Sequence, residues 1–126
     1  MQVDIHFSPH KIQVPEIRAG RECGAVVEFQ GIVRGTEDGE PIRALDYEAH
    51  PSMAEKELLK ITSELAAKHF CDRLIFIHRV GEVPVGEISL YLRVDARHRA
   101  EAFGFCQKLI DRMKQDVPIW KTTSNK

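Results

Sequence analysis

The residues of this 126-residue chain best suited to chemistry are cationic, and they gather toward its end. Residues 93–126 carry eight Lys or Arg against four Asp or Glu, whereas residues 1–58 carry six against eleven. In a chain whose net charge is only −1, that asymmetry marks the last quarter either as the place for an anionic ligand or as a solvated basic face. Within it, Asp95-Ala96-Arg97-His98-Arg99 opens a helical pattern, with Asp95 reading as the N-cap. Cations at a helix start oppose the macrodipole at a cost of about 0.3–1 kcal/mol each. Arg97, His98 and Arg99 therefore read either as an exposed basic turn or as a grip on an anion shared with the free backbone N–H groups. Lys114 lies in the last turn of the same helix, where a cation is favourable by dipole alone. Lys121 follows the only tryptophan, and Pro118-Ile119-Trp120 reads as a packed elbow that presents it. No acidic residue stands near Lys121 in sequence, so its ammonium is expected to be free for a ligand as acid, base or covalent partner. Arg34 ends a strand pattern between Gly31 and Gly35, where side chain and backbone can approach one ligand together.

Other reactive residue types give weaker signals. Cys23, Cys71 and Cys106 are scattered, with no C-x-x-C pair, which argues against a disulfide framework or a zinc site. Cys106 falls in an apolar helical pattern and reads as a small buried hydrophobe. The histidines show no metal-ligand spacing, so no metal is expected, and no cofactor. His78 reads as structural, donating to a nearby carbonyl. In Asp46-Tyr47-Glu48, alternation sends the two acids to the solvent face and the tyrosine to the packed one.

These residues must be positioned by a mixed set of elements. Strands are expected over 2–7, 24–34, 42–49, 73–80 and 86–94, from alternation and β-branched content. Gly31 suggests a bulge in the second of them. Residues 35–41 (GTEDGEP) read as a loop between 24–34 and its returning strand 42–49, residues 15–19 as a short helix, and GEVPVG at 81–86 as a turn-rich link. Ser52 and Glu55 fit a capping box for a helix over 52–69. A second helix is expected over 96–115, with Phe103, Cys106, Ile110 and Met113 on its buried face and Pro118 stopping it. The order β-β-β-α-β-β-α predicts an α+β fold, two helices packed on strands, in one domain spanning 1–126.

Composition narrows the class. Apolar residues are 43% and charged residues 29%, ordinary for a globular chain with a real core. The near-neutral total disfavours a nucleic-acid binder. No apolar run reaches the roughly 18 residues of a membrane span. The opening MQVDIHFSPHK lacks a signal-peptide layout, so a cytoplasmic location is expected.

Five segments in series, GAVVEFQGIVRG at 24–35, LDYEAHPSMAEKEL at 45–58, IHRVGEVPVGE at 77–87, ARHRAEAF at 96–103 and MKQDVPIWK at 113–121, resemble the large, catalytic subunit of molybdopterin synthase, the MoaE family. The resemblance implies an α/β hammerhead-like fold with an added antiparallel sheet. It implies sulfur transfer to cyclic pyranopterin monophosphate (precursor Z), in molybdenum cofactor biosynthesis. The sulfur would come from the C-terminal Gly-Gly thiocarboxylate of a small ubiquitin-like subunit, bound to a homodimer at the centre of a heterotetramer. Carried over residue by residue, the family's pocket falls on Ile32, Val33, Arg34, His98, Arg99, Lys114, Lys121, Thr122 and Thr123. Lys114 and Lys121 would be catalytic, while Arg34, His98 and Arg99 would bind phosphate and pterin.

Three departures are visible. Ile32 stands where a basic residue is common in the family and Thr123 where a Glu is common, and family members usually run on past the Trp-Lys motif, whereas this sequence ends at Lys126. They fit a second expectation, a weakly active or non-catalytic anion-binding or scaffolding homologue with a shortened tail. One geometric expectation follows as well. Arg99 and Lys114 are fifteen residues apart on one helix, so roughly 22 Å at 1.5 Å per residue. If both serve one small substrate, a second protomer supplies one of them.

Overall fold

The computed structural model describes residues 1–124; the last two residues of the basic C-terminal stretch, Asn125 and Lys126, lie outside them. The elements run β1 (Gln2–Ser8), β2 (Ala25–Ile32), β3 (Thr36–Glu37), β4 (Glu40–Pro41), β5 (Ala44–Ala49), α1 (Pro51–Ala66), β6 (Arg73–Arg79), β7 (Gly81–Pro84), β8 (Ile88–Ala96), α2 (Arg99–Asp116) and β9 (Ile119–Ser124). The α+β expectation holds.

A four-stranded sheet of order β1-β6-β8-β2 forms the floor, with β1 parallel to β6 and the other pairs antiparallel. Alternation divides its residues between two faces. Leu74 and Phe76 of β6, with Leu92 and Val94 of β8, meet Leu58, Ile61 and Leu65 of α1 and Phe105, Leu109 and Met113 of α2 in the main core. On the opposite face Ile75 and Tyr91 pack under Ile12 from the segment that follows β1. That segment carries no helix over 15–19, contrary to expectation. It is held instead by Arg93, whose guanidinium donates to the Ile17 carbonyl at 2.7 Å and pairs with Asp95 through two hydrogen bonds of 2.8 and 3.1 Å.

Asp95 is thus not a helix cap. It belongs to β8, where period two places it beside Arg93 on one face, and both are buried. The strand runs on to Ala96, and α2 starts three residues later than expected, with His98 as an N-cap that makes no side-chain cap bond. The buried face of α2 is Ala102, Phe105, Cys106, Leu109 and Met113; Phe103 is 61% exposed, because the centre of the burying stripe lies about 100° around the helix from it. The α1 boundary moves the other way. Pro51, with its fixed φ, occupies the first turn, so His50 is the cap and its Nδ1 accepts from the Met53 N–H at 3.3 Å. The Ser52/Glu55 capping box is therefore not formed, and the helix ends at Ala66 rather than 69.

Residues 42–49 do not return onto β2. β5 is the centre of a second sheet, order β7-β5-β9, antiparallel throughout. Both of its partners come from stretches read as links, the GEVPVG turn and the Pro118 elbow. Between β2 and β5, β3 and β4 make a minimal hairpin whose turn uses Asp38 and Gly39 at φ 51° and 80°. Val33, Leu45 and Val83, with Ile42 and Tyr47 against them, form the small core beneath this sheet. No helix among the described residues is long and apolar enough to cross a membrane.

Candidate active site

Where the two sheets meet the C-terminal half of α2, a cleft of about 770 Å³ opens. Three cations from three elements line it: Arg34 after β2, Lys114 in the last turn of α2, and Lys121 on β9.

Arg34 is placed by a distortion. The β2–β8 register shifts between Gly31 and Ile32, the bulge expected at Gly31, and the Ser89 hydroxyl donates to the Gly31 carbonyl at 3.2 Å. The chain then leaves the sheet. Val33 turns inward to the small core at 2% exposure, fixed by its N–H donating to the Glu87 carbonyl and by the Gly86 N–H donating to its own. Burying Val33 leaves the next residue, Arg34, at the cleft wall.

Lys121 is placed by pairing. It lies opposite Tyr47 of β5, and Ile119, two residues earlier, packs against the main core. The elbow expectation is half right: Ile119 packs, but Trp120 is 58% exposed at the cleft wall, and the segment is a strand. Nor is the ammonium free. Lys121 Nζ stands 3.0 Å from Glu37 Oε1 on the β3–β4 hairpin. Arg34 and Lys114 have no carboxylate within 4.0 Å among the described residues.

The inner wall is uncharged. His78, 3% exposed, has its pKa held below the ordinary histidine value by burial, which outweighs the opposing effect of its bond to the Arg79 carbonyl. That bond is 2.7 Å, and since a carbonyl only accepts, Nδ1 is the donor, the structural role expected of it. Tyr47 meets its ring edge-on at 4.9 Å between centroids. None of the three cysteines lines the cleft. Cys71 is pushed up to about 12, chiefly by burial, and Cys106 upward by burial, so neither offers a thiolate at neutral pH. Among the described residues no group of His, Cys, Asp and Glu is arranged to hold a metal ion.

Of the residues singled out from the sequence, the structure brings Ile32, Arg34, Lys114 and Lys121 to this cleft. It buries Val33 behind it, and sets Thr122 and Thr123 further along β9, exposed and outside the lining. His98 and Arg99 stand exposed at the other end of α2, away from the cleft of their own chain. Sequence reasoning missed Glu37 and the inner wall of Phe29, Tyr47, Ile110 and Met113. Ile110 carried a usable signal, being one turn before Lys114 on the same helix, and Met113 directly precedes that lysine. A second, more open hollow of about 480 Å³ lies between residues 14–18, Glu28 and Arg93. Its two inner polar side chains are already engaged with protein, Glu28 accepting from the Tyr91 hydroxyl at 2.6 Å and Arg93 bound as above.

Two unpaired cations, Arg34 and Lys114, with a third, Lys121, held by Glu37, over a largely apolar wall can bind an anion and stabilise negative charge that develops on it. A family model described as MoaE protein matches residues 5–116. The chain is 42% identical over 99 residues to the molybdopterin synthase catalytic subunit of rice, covering 79% of this chain and 51% of that protein, so it spans about half the length of that relative. The crystal structure of molybdopterin synthase from Staphylococcus aureus superposes with a TM-score of 0.85 at 32% identity, covering 99% of this chain and 90% of that one. A complex of subunits 1 and 2 of the molybdopterin-converting factor from Helicobacter pylori superposes with a TM-score of 0.69 at 25% identity, covering 82% and 67%.

Proposed function

The chain belongs to the MoaE protein family, and from that premise we propose that it is the catalytic subunit of a molybdopterin synthase, working in the cytoplasm on the path to molybdenum cofactor. It takes sulfur from the thiocarboxylated C-terminus of a small ubiquitin-like subunit and transfers it to cyclic pyranopterin monophosphate. The observation that carries this reading is the convergence of Arg34, Lys114 and Lys121 on one cleft. The substrate carries a phosphate and the donor tail an anionic thiocarboxylate, so both reactants are drawn to the same cationic space.

Arg34 suits the phosphate, since a guanidinium presents a planar fork of donors. Lys114 and Lys121 flank the space where sulfur meets carbon and stabilise the charge that builds there. Ile32 and Trp120 form an exposed apolar rim at which the partner's tail enters. His98 and Arg99 complete the phosphate and pterin contacts from a second copy of the chain, since α2 holds them roughly 22 Å from Lys114 at 1.5 Å per residue. The working assembly is then a homodimer carrying one small subunit at each cleft.

A second reading is a non-catalytic anion-binding homologue, favoured by the apolar Ile32 at the rim and by the engagement of Lys121 with Glu37. One experiment separates the two. Product formation from precursor Z and thiocarboxylated partner is measured for wild type, Lys114→Ala, Lys121→Ala and Lys121→Arg. On the enzymatic reading both Ala variants lose about two orders of magnitude or more. Lys121→Arg restores activity only in part, a guanidinium being unable to give up a proton at neutral pH. The melting temperature stays within a few degrees, surface changes costing about 0.5 kcal/mol or less. Wild-type turnover in Lys121→Ala would overturn the assignment.

A further inference from the structure

Lys121 is a long side chain on an exposed strand, and a lysine left to itself there samples many rotamers at an entropy equivalent to about 2 kcal/mol. A point charge stabilises a developing anion only when it is already in place. In this chain something holds it. Glu37 Oε1 lies 3.0 Å from Lys121 Nζ, and the Glu37 side chain is only 18% exposed while that of Lys121 is 51% exposed. The carboxylate is thus the fixed partner and the ammonium the one presented to the cleft.

The hairpin that carries Glu37 is built to hold still. Its two-residue strands are closed by Asp38 and Gly39, both at positive φ, the pairing that a tight hairpin turn requires. At its base the Ile42 N–H donates to the Gly35 carbonyl at 3.0 Å, and Ile42 packs on the small core of Val33, Leu45 and Val83. The same stretch begins at Arg34. One short loop therefore carries one cation of the cleft and anchors another that arrives from the far end of the chain. An ammonium has three donors, so its ion pair with Glu37 leaves donors for a ligand.

We infer that Glu37 is a positioning residue: its carboxylate, held on the β3–β4 hairpin, fixes the Lys121 ammonium at the cleft before the substrates arrive. The inference rests on the reading that Lys121 acts in catalysis, and it adds a residue from outside the cleft lining. It also sets a sign. As a negative charge beside the entry path of an anionic tail, Glu37 does not assist binding of the partner, so its removal impairs turnover and not affinity.

Two readouts test this on the intact chain. In the first, lysine side-chain 15N NMR locates the Lys121 ammonium by its disappearance in Lys121→Ala. Its proton exchange with water should be slowed in wild type and fast in Glu37→Gln. In the second, steady-state turnover with precursor Z and the thiocarboxylated partner should show Glu37→Gln lowering kcat by about ten- to a hundredfold, the scale of a small misplacement of a reacting group. KM for the partner should be unchanged or lower, and the melting temperature should hold within a few degrees. Glu37→Asp, which keeps the charge on a shorter stem, should retain more kcat than Glu37→Gln. An unchanged kcat in Glu37→Gln, a loss that appears only in KM, or a Lys121 signal indifferent to the substitution would overturn the inference. If wild type itself makes no product, the functional reading fails separately, and the NMR result decides whether Glu37 holds Lys121.

Discussion

Gly24 lies against the backbone of Arg97: a Cβ at Gly24 would overlap the Arg97 carbonyl oxygen and sit 3.3 Å from its carbonyl carbon. The Gly24 N–H donates to the Ala96 carbonyl at 3.0 Å, so this contact closes the end of the β2–β8 ladder directly before the His98-Arg99 helix start. Gly24→Ala must push backbone apart and is expected to cost about 1–3 kcal/mol. Gly104→Ala makes the informative contrast. There the obstruction is the His69 ring at 2.6 Å, a side chain that can swing, and alanine in a helix interior recovers up to about 1 kcal/mol. Urea denaturation of both variants should show a clear loss for Gly24→Ala and a change within about 1 kcal/mol for Gly104→Ala. Equal stabilities would contradict the backbone argument.

The buried Arg93–Asp95 pair makes a second prediction. Removing one partner of such a pair costs about 3–5 kcal/mol, because the other charge is left in a dry site. Asp95→Asn should therefore lower stability on that scale and loosen the Arg93 bond to Ile17. Limited trypsin digestion should cut after Arg18 or Arg21 faster in Asp95→Asn than in wild type at a temperature where both remain folded. Cleavage rates that match would show that the segment is held by something else.

His78 should give stability a pH dependence of known sign. Phe7, Tyr47 and Phe76 surround its ring, and its folded pKa lies below the ordinary value. As pH falls through about 6.5 the unfolded chain takes up a proton that the folded one refuses, so stability declines, by at most about 1.4 kcal/mol per pH unit. Above that pH both states are neutral at this site and the dependence vanishes. His78→Phe, compared with wild type by chemical denaturation between pH 7.5 and 5.5 (about two units spanning the ordinary histidine value), should show a shallower decline toward acid. A parallel decline in the two proteins would remove His78 from the account.

Subunit complementation tests the sharing of a site between protomers. Arg99→Ala and Lys121→Ala homodimers should each be nearly inactive in the synthase assay. Mixed under conditions that exchange subunits, half the dimers pair one of each, and in those one of two clefts has both residues intact. Activity should return to about a quarter of wild type in a two-fold symmetric dimer. No recovery, with exchange verified by mass spectrometry, would place Arg99 and Lys121 in service of the same cleft of one chain or of different functions.

Much of the cleft could be read from local signals. Arg34, Lys114 and Lys121 stood out by charge and by their places at a strand end, a helix end and beyond a proline. Gly31 announced its bulge, and the two helices announced themselves by period. What escaped was what depends on distant partners. Asp95 resembles an N-cap in its neighbours, and only the Arg93 guanidinium and the extension of β8 to Ala96 show that it is a strand residue. Ile119–Ser124 has no strong alternation of its own and becomes a strand because β5 offers an edge. Glu37 is 84 positions from the lysine it holds, a separation no spacing rule reaches. Phe103 was misplaced by one step of the helix, since its spacing to Cys106 and Ile110 fits a buried stripe nearly as well as the true one of Ala102, Phe105, Cys106, Leu109 and Met113.

The pairing of β5 with β9 has a consequence for the order in which the molecule comes into being. Ala49 meets Ile119 across about 70 residues of chain, and this contact brings Lys121 to the cleft. Closing so long a loop costs entropy that only packing can offset, as do the pairings of Gln2 with Arg73 and of Ala25 with Ala96 in the four-stranded sheet, so the two sheets depend on the same cooperative packing. During synthesis, Arg34 and Lys114 leave the ribosome before Lys121 and wait for it. A chain made only as far as Lys114 lacks one strand of the second sheet and one cation of the cleft, so competence for the reaction waits until Lys121 has been made and paired.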